Sequence, residues 1–316
     1  MKLTEERRKL LKVVSLYYNQ GLTQAVIAKQ LGVSRPVISK LLQTARADGI
    51  VKIHINDEDA LRVDQALILQ KRYHLNDVLV IPVKKDRQES VDALQQRVAQ
   101  ASASWLVEQL PRIQSIGLSW GTTLAAVIEA MPYVTTEKMV VRPLVGGVAS
   151  EHVFYDTNHL VFRLAEKLGS RCSYFYAPAL AESQALAEAL NASQLVANAL
   201  GAAREVDLAI IGVGNPQEHS TWQNLGYFSQ GQVIASDIVG DGVASLFDKN
   251  GQTVDNIITK RMIGLKVEEL SRIKEVLVIG TGQEKAVSIQ SLLKGQGVTA
   301  MIVDSDIAEA LIKMER

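Results

Sequence analysis

Apolar residues recur at helical spacing near the start of the chain, then in short strand-like runs further along. Leu3, Leu10, Leu11, Val14, Leu16, Tyr17 and Tyr18 make one stripe over residues 3–19, which predicts an amphipathic helix ended by Gly21. Thr23 stands where it can N-cap a second helix, TQAVIAKQLG, with Val26, Ile27 and Leu31 as its apolar positions. Gly32 permits a tight turn, and Val33 can tuck beneath it. Ser34 is the expected cap of a third helix, with Arg35 and Pro36 in its first turn, where a missing proline N–H costs little. Val37, Ile38, Leu41 and Leu42 are expected to form its buried face, and Gly49 its end. Residues 50–55 (IVKIHI) alternate apolar and polar positions and read as a short strand, a wing to the helices.

Residues 57–73 have helical composition and lead into VLVIPV at 78–83, the first buried strand of a new domain. The predicted division is therefore 1–56 and 57–316. The linker helix can pack between subunits or cover its own domain. Beyond it, 113–119, 139–144, 207–213, 276–280 and 300–303 read as strands, and 91–110, 122–131, 160–168, 183–203 and 284–295 as helices. That alternation predicts an α/β domain built on a parallel sheet.

Charge changes the picture of the first segment. The whole chain balances 34 Lys and Arg against 34 Asp and Glu. Residues 1–52, however, hold ten bases and three acids, a net +7 that leaves −7 on the remainder. A basic head on an acidic body is expected when one segment meets a phosphate backbone. Helix, glycine turn, then a helix with polar residues at its N-terminus is the helix-turn-helix pattern. Double-stranded DNA is the implied partner. Arg35, Ser39 and Lys40 fall on the exposed face of the third helix, with Ser34 and Pro36 at its start, and can meet base edges or phosphates. Thr23 and Gln24, opening the second helix, can bond the DNA backbone. A three-helix bundle used for protein contacts is the plainer alternative.

Composition narrows the setting. The charged N-terminus does not read as a signal peptide, and no apolar run reaches the roughly 20 residues of a spanning helix, so no membrane is expected. A single cysteine, Cys172, excludes an intrachain disulfide and fits a cytoplasmic location; it reads as a small core residue.

In a parallel sheet, ligands bind beyond the strand C-termini. After the 113–119 strand comes SWGTT, where Ser119, Gly121, Thr122 and Thr123 offer hydroxyls, a close-approach backbone and a helix N-terminus to a phosphate. An ordinary threonine-capped turn is the alternative. Gly146–Gly147, then Gly212 and Gly214, follow later strands as further close-approach points. Thr281–Gly282–Gln283–Glu284 precedes Lys285, placed in the first turn of a helix where it can meet a phosphate. In GDGVASLFD, Asp241 is a candidate for sugar hydroxyls, whereas Asp248 reads as part of a hairpin turn with Gly251.

The stretch over residues 16–55, with LYY followed by LTQ, IA, LG, SR, S and LL at these spacings, resembles the DNA-binding region of SorC-family sugar-binding regulators. SWGTT, the GG pair, GVG, GYFS (226–229), GDGVASLFD and GTGQEKA extend the resemblance to nearly the whole chain. The likeness implies an effector domain similar to sugar-phosphate isomerases. It implies that Gly121–Thr123 and Lys285 hold a phosphate, with Gly146, Gly147 and Asp241 nearer the sugar. It further implies dimers or tetramers on operator DNA, whose grip alters with a phosphorylated sugar, as in a repressor of a carbohydrate or deoxyribonucleoside operon. No other cofactor is implied. Val145 stands where an amine would be needed for a covalent imine, so none can form there.

The rival reading is an active sugar-phosphate isomerase or deaminase, which needs a positioned acid and base. GVGNPQEHS lacks the Gly-His pairing of such deaminases, and His54, His74, His152, His159 and His219 show no metal-ligand spacing. A regulator without catalytic residues is the expected function.

Overall fold

The computed structural model describes residues 5–51, 60–84, 89–136, 138–148, 154–218, 222 and 237–314. The chain divides into two compact units, Met1–Ala60 and Leu61–Arg316. The boundary thus falls just after the expected 56.

In the first unit, α1 spans Glu5–Val14 and continues as a π-helical turn, Ser15–Asn19, rather than as one regular helix. Gly21 then turns the chain at φ +67°. Helix α2 is Gln24–Leu31, and the Thr23 hydroxyl accepts from the Val26 amide at 3.3 Å, the expected cap. Gly32 adopts the left-handed conformation (φ +64°), which lets Val33 donate to the Ala28 carbonyl and fold under the turn. Helix α3 is Arg35–Ala47. Ser34 has cap backbone geometry, but its side chain makes no capping bond. Val13, Leu16, Ile27, Ala28, Ile38 and Leu42 close the core. Leu11 is 36% exposed, and in α2 and α3 two expected core positions are on the surface, Val26 and Val37, 49% and 40% exposed. Their neighbours Ile27 and Ile38 take the buried positions, because three short helices offer only a narrow interior stripe. The expected strand over 50–55 lies largely outside the described residues; Ile50 and Val51 form a bend.

The second unit begins with α4 (Ala60–Tyr73), whose Leu69 is fully buried, and β1 (Asp77–Ile81). Then come α5 (Val91–Gln109), β2 (Ser115–Leu118), α6 (Thr122–Ala130), β3 (Val140–Pro143), α7 (Thr157–Lys167) and β4 (Arg171–Cys172). The expected helix over 183–203 is two, α8 (Gln184–Ala192) and α9 (Gln194–Arg204). Ser193 breaks them by taking extended backbone and capping the second through the Val196 amide. Next are β5 (Leu208–Gly212), the hairpin β6 (Gly240–Gly242) and β7 (Ser245–Phe247), and β8 (Glu275–Gly280). The chain finishes with α10 (Ala286–Lys294), β9 (Ala300–Asp304) and α11 (Ser305–Lys313). Among the described residues, no helix is long and apolar enough to cross a membrane.

Seven parallel strands form one sheet in the order β1-β9-β8-β5-β2-β3-β4. Both faces are buried, so the strands are apolar at successive positions rather than at alternate ones. On one face Ala209, Ile211, Val276, Val278, Met301 and Val303 meet α9, α10 and α11. On the other, Leu208, Ile210, Leu277, Ile279 and Ile302 share a core with α5, α6 and α7. Cys172, on the edge strand, is only half-buried against that second core.

From β2 the chain moves outward to β3 and β4, then returns to β5 on the other side of β2. The sheet therefore has its topological switch point between β2 and β5, where the two sets of connections diverge and leave a crevice. Asp248 is a turn residue, as expected: Gly251 donates to its carbonyl, and the amides of Asn250 and Gln252 to its carboxylate. Burial would raise this carboxyl, but those hydrogen bonds outweigh it and hold the pKa below the usual range.

Candidate functional site

At the switch point β2 runs into Ser119, Trp120 and Gly121. The Ser119 hydroxyl oxygen accepts from the Gly212 amide at 3.3 Å, tying the ends of β2 and β5 together. Gly121 sits at φ +116°, a conformation that side chains rarely adopt, and begins α6. No side chain caps this helix. The expected alternative of a threonine-capped turn is therefore not what forms. The amides of Thr122, Thr123 and Leu124 occupy the first turn, where no intrahelical acceptor exists, and the helix dipole adds positive potential. Thr122 is exposed and Thr123 is buried.

Across the crevice, Gly214 and Asp241 exchange two backbone hydrogen bonds of 3.0 and 3.1 Å. A β-carbon on Gly214 would sit 2.3 Å from the Asp241 carboxylate, so a larger residue there would displace that side chain. Asn215 donates to the Glu284 carbonyl at 2.9 Å, joining the turn after β5 to the turn after β8. In that second turn Lys285 ends a short 3-10 segment, Gln283–Lys285, and occupies the N-cap position of α10. It lies one residue earlier than a first-turn lysine would. Desolvation pushes its pKa below the usual lysine range, opposed by the charges of Glu284, Asp241 and Asp304. Lys285 and Asp241 thus belong to one charged cluster, and Gly214 is bridged to it through the Asp241 backbone.

At Gly146 and Gly147, expected nearer the sugar, the backbone meets the protein's own chain. A β-carbon at Gly146 would lie 2.5 Å from the Pro178 carbonyl oxygen. The Gly146 amide donates to Ile263 and the Gly147 amide to Ala177. The close approach at Gly146 is to the protein's own backbone, and both amides are spent on the protein's own carbonyls. Val145, buried beside them, carries no amine.

Two contributors have only a weak signal in the sequence. Asp304, at the end of β9, is fully buried; its carboxylate accepts from Gly282 at 2.7 Å and from Asp306 and Ile307 at 2.9 Å. The signal was an aspartate between a strand and a helix, the ordinary place for a cap. Lys266 donates to the carbonyls of Ala244, Thr259 and Met262 at 2.7–3.3 Å, knotting the hairpin turn to the segment that covers it. Burial lowers its pKa to about 8. Because the unfolded chain holds this proton up to the ordinary lysine range, the linkage favours folding as pH rises from about 8 to about 10.5. Urea melts at pH 7.5 and 10 should show wild type gaining stability relative to Lys266→Met. An unchanged difference would contradict the burial of that charge.

In the first unit, Thr23, Gln24 and Arg35 line a single cleft of about 650 Å³ with Tyr17, Gly21 and Leu22. Lys40, Pro36 and Gln43 are exposed on α3, and Ser39 is partly so. Arg46, also exposed, is engaged within the unit: its Nε donates to the Tyr18 hydroxyl at 2.9 Å, and its guanidinium lies 6.0 Å from that ring. A mostly apolar cavity of about 630 Å³, lined by Leu110, Ile113, Val134 and Met139 among others, opens at the N-terminal ends of β2 and β3. It lies away from the crevice and has none of its chemistry. His152, His219 and the GYFS segment lie outside the described residues. Among the described residues no group of histidine, cysteine or carboxylate side chains is arranged to hold a metal ion.

Residues 59–313 match the family described as "Putative sugar-binding domain". The chain is 27% identical to the sorbitol operon regulator of Klebsiella pneumoniae, over 99% of this chain and 100% of that protein. It is 24% identical to the deoxyribonucleoside regulator of Bacillus subtilis, over 98% of each. The full-length crystal structure of the Klebsiella regulator superposes with a TM-score of 0.75 and 25% identity, covering 97% of this chain and 99% of the other.

Proposed function

The chain belongs to the Sugar-bind family, and from that membership we infer that it is a transcription regulator whose hold on operator DNA responds to a phosphorylated sugar. Relatives matched along nearly their full length are named regulators of transcription, which favours this reading over an isomerase or deaminase. The helix-turn-helix with its +7 segment supplies the DNA-binding half. Thr23 and Gln24 meet the backbone, and Arg35, Ser39 and Lys40 enter the major groove.

The sensing half rests on one observation, the uncapped N-terminus of α6 at the switch point of the sheet. A phosphate monoester suits it because backbone donors and the dipole converge there without needing a cationic side chain. Asp241 suits the sugar hydroxyls, which donate to a carboxylate. Lys285 stands between the two roles, as a counter-charge to Asp241, Asp304 and Glu284 that can also meet a phosphate. Ser119 and the Gly212–Gly214 turn shape the crevice floor, and Gly146 and Gly147 its wall. A cytoplasmic location, a repressor's mode of action and assembly as a dimer or tetramer complete the reading.

A thermal-shift screen of pentose and hexose phosphates against their unphosphorylated parents tests it. A ligand present at 100 times its dissociation constant adds about 2.7 kcal/mol of stability. The expected result is a rise with at least one phosphate, none with its parent sugar, and altered retention of DNA by the liganded protein. Equal response to sugar and sugar phosphate would overturn the phosphate assignment.

A further inference from the structure

A recognition helix must leave a run of side chains uncommitted to its own domain, and α3 allows that run to be identified by elimination. Ile38, Leu42 and Ala45 are buried. Val37 and Thr44 line the cleft between α3 and α1, together with Leu10 and Leu41. Arg46 is engaged by Tyr18 through a hydrogen bond and the ring face. Arg35, Pro36, Ser39, Lys40, Gln43 and Ala47 remain, at steps of three and four residues along one face, and Arg35 offers donors only. Of these, proline and alanine carry no donor, and Lys40 is a point charge suited to phosphate. Ser39 bonds any base. Gln43 alone on this face presents a donor and an acceptor side by side, the pair that matches N7 and N6–H₂ of adenine in the major groove.

We propose that Gln43 is a specificity-determining residue of the DNA-binding unit, reading an adenine one helical turn beyond the contact of Ser39. The reach is right: four residues of helix advance about 6 Å, close to the rise of two base pairs. It is also the last position on this face with hydrogen-bonding capacity before the helix ends at Ala47. The assignment rests on the operator-binding reading above.

The test is selection of duplexes from a randomised library by full-length wild type, Gln43→Ala and Gln43→Glu, followed by affinity measurements on the selected sites. Wild type should enrich a half-site in which replacing one A·T pair weakens binding by roughly 5–150-fold, the range of a bidentate base contact. Gln43→Ala should reduce that penalty to about twofold or less while leaving preferences at other positions intact. Gln43→Glu should move the preference toward cytosine, whose amino group donates to a carboxylate. Because Gln43 is exposed, both variants should melt with the parent. Identical preferences in Gln43→Ala, with affinity either unchanged or uniformly lower, would overturn the assignment. Failure of wild type itself to enrich any sequence would instead overturn the operator-binding reading and the assignment with it.

Discussion

Thr122→Asp should leave the protein at least as stable as the parent and yet abolish its response to a sugar phosphate. Thr122 is exposed at the first position of α6, and no side chain caps that helix. A carboxylate there would interact favourably with the helix dipole and the first-turn amides, by about 0.3–1 kcal/mol. The same carboxylate would stand where the phosphate is proposed to bind. Against a dianion at about 5 Å, with an effective dielectric constant of about 20, the repulsion is roughly 6–7 kcal/mol. Even a screened half of that exceeds the roughly 2.7 kcal/mol that separates two orders of magnitude in affinity. Calorimetric titration with the phosphate found by the thermal screen should therefore show more than a 100-fold loss. Thr122→Asn, which is neutral, should fall between. Unchanged binding by the aspartate variant would place the phosphate elsewhere.

The opposite signs of the two effects matter for interpretation. Most losses of ligand response trace to a weakened fold, and a variant that binds worse while melting no lower escapes that ambiguity. The DNA-binding unit serves as an internal control, since Thr122 belongs to the other compact unit. Retention of DNA by the unliganded variant is expected to match the parent.

The sequence was most legible where a residue type has one physical use. Thr23 capped the helix it precedes, Gly32 took the left-handed conformation that its turn requires, and Asp248 closed a hairpin with Gly251. The parallel strands were readable because both their faces are buried, which leaves uninterrupted apolar runs. Legibility failed where the deciding contact is distant in the chain. Nothing local distinguishes Gly146, pressed against Pro178, from a glycine opened to a ligand. Val37 and Ile38 are equally apolar, and only the position of α1 decides which is buried. Ser193 breaks a run whose apolar spacing continues without interruption on both sides. Arg46 counted toward the basic head, and it is exposed, yet Tyr18, 28 residues earlier, engages its guanidinium.

Asp304 offers the second large effect, because its two carboxylate oxygens serve different parts of the molecule. Oδ1 accepts from Asp306 and Ile307, capping α11; Oδ2 accepts from Gly282, fixing the turn that carries Lys285. Burial pushes the carboxyl above its usual range even though these three amides pull it down. Asp304→Ala strands all three amides in a buried setting, at about 1–3 kcal/mol for each one left unpaired. A loss of at least 3 kcal/mol, read by urea denaturation, is expected. Asp304→Asn should behave otherwise. Its remaining oxygen can still cap α11, and loss of the buried charge offsets part of what is lost. Its amide group, however, presents hydrogens to the Gly282 N–H and releases that turn. The asparagine variant should therefore melt near the parent while binding the sugar phosphate more than tenfold more weakly. Equal destabilisation of the two variants would refute the separate duties of the two oxygens. Parental affinity in Asp304→Asn would show that the Gly282 tether does not hold Lys285 in its working place.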